Sequence, residues 1–191
     1  MNLQHVNVKV FVDGALAADP QQFVVAFHQW IIDSSMDEML IDVADYRHVP
    51  RGPVVMLIGH EADYSIDHRN GRYGLLYNRK APLEGTNADR FLHSLRAAAK
   101  ACLLLESQVS GVRFRRDEFE LVINDRALAP NTPETRQAFE ADLSAFLERD
   151  LGQTGVRFTT AEDPRTRVGT VVTLASPLEL ERLSQSQSEP I

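Results

Sequence analysis

Val6, Val8, Val10 and Val12 share one face of a short run whose other face is Asn7, Lys9 and Phe11. That period of two predicts a strand. Asp19-Pro20 follows, a helix N-cap with proline at the first helical position. Phe23, Phe27, Trp30 and Ile31 then recur at helical spacing and predict an amphipathic helix over 20–34. Residues 39–43 predict a short apolar strand, and 46–53 a loop containing Pro50, Gly52 and Pro53. The unbroken apolar run 54–58 predicts a strand buried on both faces. Ala62–Asp67 and 72–77 flank His68-Arg69-Asn70-Gly71, and Asn-Gly between alternating segments is a hairpin signal.

The second half follows the same grammar. After a loop at 82–86, with Asn87 as the expected cap, Phe91, Leu95, Ala98, Cys102 and Leu105 mark the core face of a helix that ends before Gly111. Strands are expected at 112–116 and 118–123, and Thr132-Pro133 repeats the cap-plus-proline signature. Ala138, Phe139, Leu143, Phe146 and Leu147 define a third helix, followed by strands at 156–160 and 168–174. Residues 184–191 are polar and read as a frayed tail.

Two stretches match each other. Asp13-Gly14-Ala15-Leu16-Ala17 and Asp125-Arg126-Ala127-Leu128-Ala129 each follow a strand and precede a proline-initiated helix. Further on, Asp45-Tyr46-Arg47 with Gly52, Val54, Val55 and Leu57 parallels Asp163-Pro164-Arg165 with Gly169, Val171, Val172 and Leu174. The expected fold is therefore α+β: two tandem βαββ-type units in ferredoxin-like element order, with an inserted hairpin and helix, forming one compact domain. The first unit, with hairpin and helix, spans 1–110, the second 111–183, and the tail 184–191.

Composition narrows the functional classes. The 191 residues carry 20 Lys plus Arg against 27 Asp plus Glu, a net charge of -7. Phosphate neutralisation needs a basic surface. The one dense basic run, Arg113, Arg115 and Arg116, is diluted by Glu118 and Glu120, so nucleic acid is not an expected partner. No apolar run approaches the ~20 residues of a membrane-spanning helix. Residues 1–13 read as a strand, not a leader, and a single cysteine, Cys102, fits a reducing compartment, so a cytoplasmic protein without membrane association is expected. Cys102 lies among leucines and reads as a small buried hydrophobe.

The familiar catalytic motifs are absent. His60-Glu61 begins like H-E-x-x-H, but Tyr64 stands in the fifth position. Asp63, Ser65 and Asp67 begin like a calcium loop, but His68 replaces its glycine and Gly74 its bidentate glutamate. Ligand-type side chains do concentrate in two loops of the first unit. A divalent metal held by His48, His60, Asp45, Glu61 and Asp63 would support a metal-dependent, hydrolase-like enzyme. That site forms only if strands 39–43 and 54–58 are parallel, and the eleven residues from Ala44 to Val54 are short for a crossover. In the second unit Thr166 and Pro177 occupy the positions of the two histidines. Asp63, Ser65 and Asp67 also fit the solvated face of a hairpin strand. The favoured expectation is a non-catalytic binding or assembly module without a cofactor. It would form homo-oligomers through partner contacts at Tyr73 and Tyr77 on an edge hairpin.

Overall fold

The computed structural model describes residues 1–49 and 52–185. Pro50 and Arg51 of the proline-rich loop, and 186–191 of the expected tail, lie outside the described residues. The chain is an α+β domain built on one sheet. Its strands are β1 (Val6–Val12), β2 (Leu40–Asp45), β3 (Pro53–Gly59), β4 (Ala62–Asp67), β5 (Gly74–Arg79), β6 (Phe114–Ile123), β7 (Arg157–Thr160) and β8 (Gly169–Thr173). They lie in the order β2-β3-β4-β5-β1-β6-β8-β7, and every neighbouring pair is antiparallel. Four helices accompany them: α1 (Pro20–Asp33), α2 (Asn87–Gln108), α3 (Pro133–Leu151) and α4 (Leu180–Gln185). None of the described helices is long and apolar enough to cross a membrane.

The helices cover one face of the sheet. α2 lies on β1 and β5, α1 on β2 and β3, and α3 and α4 flank α2. Strand alternation supplies the core between them: Val6, Val8 and Val10 of β1, Leu57 of β3, Tyr64 and Ile66 of β4, Leu75 and Tyr77 of β5, and Phe119 and Leu121 of β6. Trp30 is fully buried, and its indole N–H donates to Gln108 Oε1 at 2.7 Å, tying α1 to the end of α2. Cys102 is buried in α2, and burial pushes its thiol up, as an inert core position requires.

Several expectations change. The β4–β5 hairpin is interior, flanked by β3 and β1, so the sheet edges are β2 and β7. β4 and β5 stand between β1 and β3, so the first unit is not a split βαβ, whereas β8 alone separates β6 from β7. The two strands expected at 112–123 form one ten-residue strand, β6. Thr86, not Asn87, caps α2, through a capping box with Asp89. The Asn87 side chain instead ties the N-terminus down, accepting from Leu3 N and donating to Met1 O. Residues 184 and 185 of the expected tail close α4. Val54, Met56 and Ile58 are only half-buried, because β3 has a helix on one side alone. The Asn-Gly turn forms as its residues require, with φ of 59° at Asn70 and 72° at Gly71.

All seven residues of β1 are buried, including those facing away from the helices. Phe11 is capped by the Arg72 guanidinium, 3.6 Å from its ring centroid, and Arg72 is held in turn by Glu118. Lys9 lies across β5 at Gly74, where an added Cβ would sit 2.9 Å from Lys9 Cε and 2.7 Å from the Val10 carbonyl oxygen. Gly74→Ala therefore displaces both the lysine and the backbone, and urea unfolding should show a loss of about 1–3 kcal/mol.

A polar cleft on the open face of the sheet

The face without helices is lined mainly by the alternate residues of four strands. Asn7 and Lys9 project from β1, Asp63, Ser65 and Asp67 from β4, Leu76 and Asn78 from β5, and Glu120 and Val122 from β6. Cross-strand register aligns them: Asp63 is opposite Asn78, Asn78 opposite Asn7, and Lys9 opposite Glu120. Together they form a cleft of about 240 Å³, with Arg69, Asn70, Asn124 and Arg167 also lining it.

Two hydrogen-bond systems organise this surface. In the first, Lys9 Nζ donates to Asp67 Oδ1 at 2.7 Å and to the Arg69 carbonyl at 3.2 Å. Asp67 also accepts from the Arg69 backbone N–H at 3.0 Å and from its guanidinium at 3.2 Å. Both members of the Lys9–Asp67 pair are almost completely buried. Burial pushes the Asp67 carboxyl up, but the Lys9 hydrogen bond and charge, reinforced by Arg69, outweigh it and hold Asp67 below the usual carboxylate range.

The second system is a chain of amides. Lys80 Nζ donates to Asp63 Oδ1 at 2.7 Å, and Asn78 Nδ2 donates to Asp63 Oδ2 at 3.3 Å. An ionised carboxylate only accepts, so Asp63 fixes which end of the Asn78 amide it meets. Asn78 Oδ1 then accepts from Asn7 Nδ2 at 2.7 Å and from Asn124 Nδ2 at 3.0 Å. Among the described residues, neither outer asparagine has a hydrogen bond to its side-chain carbonyl. Asn7 is only 8% exposed, and its Oδ1 is buried without a hydrogen-bond partner among the described residues. Glu120 completes the set. Burial raises its carboxyl, the Lys9 charge lowers it, and it makes no ion pair or hydrogen bond among the described residues.

The residues singled out from the sequence lie elsewhere for the most part. β2 and β3 are antiparallel, so Asp45 and His48 lie at one end of the pair and His60, Glu61 and Asp63 at the other. The five do not come together, and among the described residues no group of three or more His, Cys, Asp or Glu is placed to hold a metal. Asp45 accepts from the Arg47 backbone and guanidinium, which holds its carboxyl low, and Asp163 binds Arg165 in the same way. His48 stacks on Tyr46. Glu61 pairs with Arg79 at 2.8 Å. Only Asp63 belongs to the cleft.

Tyr77 is fully buried beneath α2, its hydroxyl 3.2 Å from His93 Nε2, and presents no surface to a partner. Tyr73 is half-buried and stacks on His68 with centroids 4.0 Å apart. Ser65 and Asp67, read from the sequence as water-facing, are buried at 3% and 1% exposure. The sequence marks Asn7, Lys9 and Glu120 only as polar strand positions, and Asn78 and Asn124 not at all. Their signal was a polar residue at alternate positions of strands that are otherwise strongly apolar.

A comparison with models of known protein families finds no match, and a comparison with curated proteins finds no significant relative.

A second titratable group lies on the helix-covered face. Glu38 Oε1 accepts from the Tyr64 hydroxyl at 2.6 Å, and burial raises the Glu38 carboxyl. Burial, and then the Arg79 charge, push the His93 imidazole down. Unfolded His93 protonates near its ordinary value of 6.5, whereas the folded chain keeps it neutral. Its contribution to stability is thus complete above that pH and is lost as the pH falls through the lower folded value. Urea midpoints measured through this range should fall more steeply for the wild-type chain than for His93→Gln.

The buried ion pair gives a separate test. Lys9→Met or Asp67→Leu alone strands an unpaired charge and should cost about 3–5 kcal/mol in chemical unfolding. The double variant should recover most of that loss, because it buries neither charge.

Proposed function

We propose that the chain is a non-catalytic binding module, and that the cleft on the open face is where it takes a small polar molecule. One observation carries this reading: polar side chains of β1, β4, β5 and β6 converge on one cleft, and one of them, Asn7, has a buried Oδ1 without a hydrogen-bond partner among the described residues. A buried acceptor left without a donor costs about 1–3 kcal/mol, and a ligand N–H or O–H that draws the Asn7 amide toward the cleft opening removes that cost. The net charge of -7 argues against nucleic acid as the occupant. A cleft of 240 Å³ falls below the ~300 Å³ at which pockets for drug-sized ligands begin, which favours a small one. The acidic and basic side chains of the cleft are mostly engaged with one another, which supports recognition over proton transfer.

Asn7→Leu separates binding from folding. It removes the orphan acceptor while leaving Asn78 Oδ1 its bond from Asn124. Its unfolding free energy should stay within about 1 kcal/mol of wild type. A thermal-shift screen with sugars, amino acids, nucleosides and polyamines should find compounds that stabilise the wild-type chain and not Asn7→Leu. A screen in which every compound acts equally on both, or on neither, removes the cleft as a binding site.

A further inference from the structure

We infer that the solvent face of α1 is a docking surface for an amphipathic, basic helix of a partner protein. The partner's apolar side chains would meet Val25 and Ile32, and its Lys or Arg side chains the acidic end of α1 at Asp33. This surface lies on the helix-covered side of the sheet, apart from the cleft, and stands independently of the small-molecule reading.

Charge is uneven along the chain. Residues 10–46, which run from β1 through α1 into β2 and beyond, contain seven Asp or Glu and no Lys or Arg. That leaves 20 acids against the chain's 20 bases elsewhere, so the whole net charge of -7 resides in this one segment. Within it, Glu38 is bound by Tyr64, Asp37 pairs with Lys100 and Asp45 with Arg47. Asp33 and Asp42 are exposed and make no ion pair among the described residues.

The same segment carries an apolar surface. Ahead of Asp33, α1 exposes Gln21, Gln22, Val25, His28, Gln29 and Ile32, a solvent face without Lys, Arg, Asp or Glu. A helix that meets only water is ordinarily charged on that side, as α3 is at Glu134, Glu148, Arg149 and Asp150. Val25 is 62% exposed, and Ile32, at 74%, is the most exposed large hydrophobic side chain among the described residues. Seven residues apart, the two share one helical stripe ~10 Å long. Val25 also lines, with Gln22, Ala26, Gln29 and Gln108 of α2, a groove of about 430 Å³.

Sign and helix polarity select the occupant. A second copy docking through the same face would set acid against acid, and nucleic acid or an anionic membrane is repelled. The C-terminal end of α1 strengthens the field. A helix C-terminus carries a partial negative charge, and the last turn of α1 holds Asp33 and no base. A partner's Lys or Arg answers the carboxylate and the helix end together. Apolar contacts at i and i+7 are the pattern that a second helix meets along its own apolar face.

The test uses the full chain and synthetic helical peptides, labelled and followed by fluorescence anisotropy. The first peptide has Leu at i, i+3, i+4 and i+7 and Lys in its first and last turns. The second carries Glu in place of Lys, and the third is the first with its sequence scrambled. The first should bind saturably, about tenfold or more tighter than either of the others. Added salt should weaken it. Ile32→Ser should weaken it about fivefold or more, and Asp33→Asn should lessen the effect of salt. Both positions are exposed, so neither substitution should move the unfolding midpoint. Equal binding of the scrambled peptide reduces the face to a diffuse acidic surface and overturns the proposal, and equal binding of the Glu peptide overturns the basic partner. A chain that sediments as a dimer and becomes a monomer in Ile32→Ser makes the face a self-contact instead. No binding of the first peptide removes the docking surface and leaves the cleft reading untouched.

Discussion

The Lys9 ammonium is buried in the middle of a sheet, and the arrangement around it follows from that one placement. A desolvated charge must be met by an opposite charge and by further hydrogen bonds, or the strand carrying it cannot hold the centre. The partner is not on an adjacent strand. It is Asp67 on β4, reached across β5, and the route is open because Gly74 has no side chain there. Asp67 then draws in the backbone and guanidinium of Arg69, which fixes the start of the tight turn between β4 and β5. Beyond that turn Arg72 lies over Phe11 and pairs with Glu118, linking the hairpin to β6. The side chains around one buried lysine thus link β1, β4 and β6 across β5, in addition to the backbone ladder.

The two faces of the sheet divide the work. The helix-covered face is conventional, with aliphatic and aromatic residues at every second strand position and a few polar groups satisfied within the core. The open face is half-buried without being apolar. Its order comes from directed bonds, and directed bonds impose orientation as well as position. The cleft is therefore lined by side chains of fixed hydrogen-bond direction, where a greasy groove would offer only shape.

The sequence made the framework legible and the cleft largely not. Hydrophobic periodicity located β1, α1, α2 and α3, because a covered face has to be apolar at a fixed period. The turn chemistry at Asn70-Gly71 was equally readable, since only a few residues accept a left-handed backbone. Strand order was not readable. Whether a hairpin lies at an edge or in the interior depends on which distant strand closes over it, and β5 meets β1 across more than sixty residues of chain. That is why Tyr77 reads as a surface residue, and why the orientation of β2 against β3, on which a joint site of His48 and His60 depends, stays open in the sequence. The cleft residues were hidden for a related reason. Asn7, Lys9, Asp67, Asn78 and Glu120 read locally as the wet side of separate strands. Only pairing four strands side by side brings them together, and only then does covering by their own neighbours make them buried.

The amide chain gives the cleft a polarity that is set at one end of it. Asp63 never offers a proton, so Asn78 turns its NH₂ toward it, and the outer asparagines turn their carbonyls outward. An asparagine at position 63 would keep its carbonyl toward Lys80 and offer an NH₂ to Asn78. Asn78 would then rotate by half a turn, and Asn7 and Asn124 with it. Three side chains would keep their places, and the floor would change from a row of acceptors to a row of donors. In such a relay the residue at one end decides which sign of hydrogen bond the other end presents. The preference of this surface could therefore drift between opposite chemistries by a single substitution, without any change of fold or of contact residues.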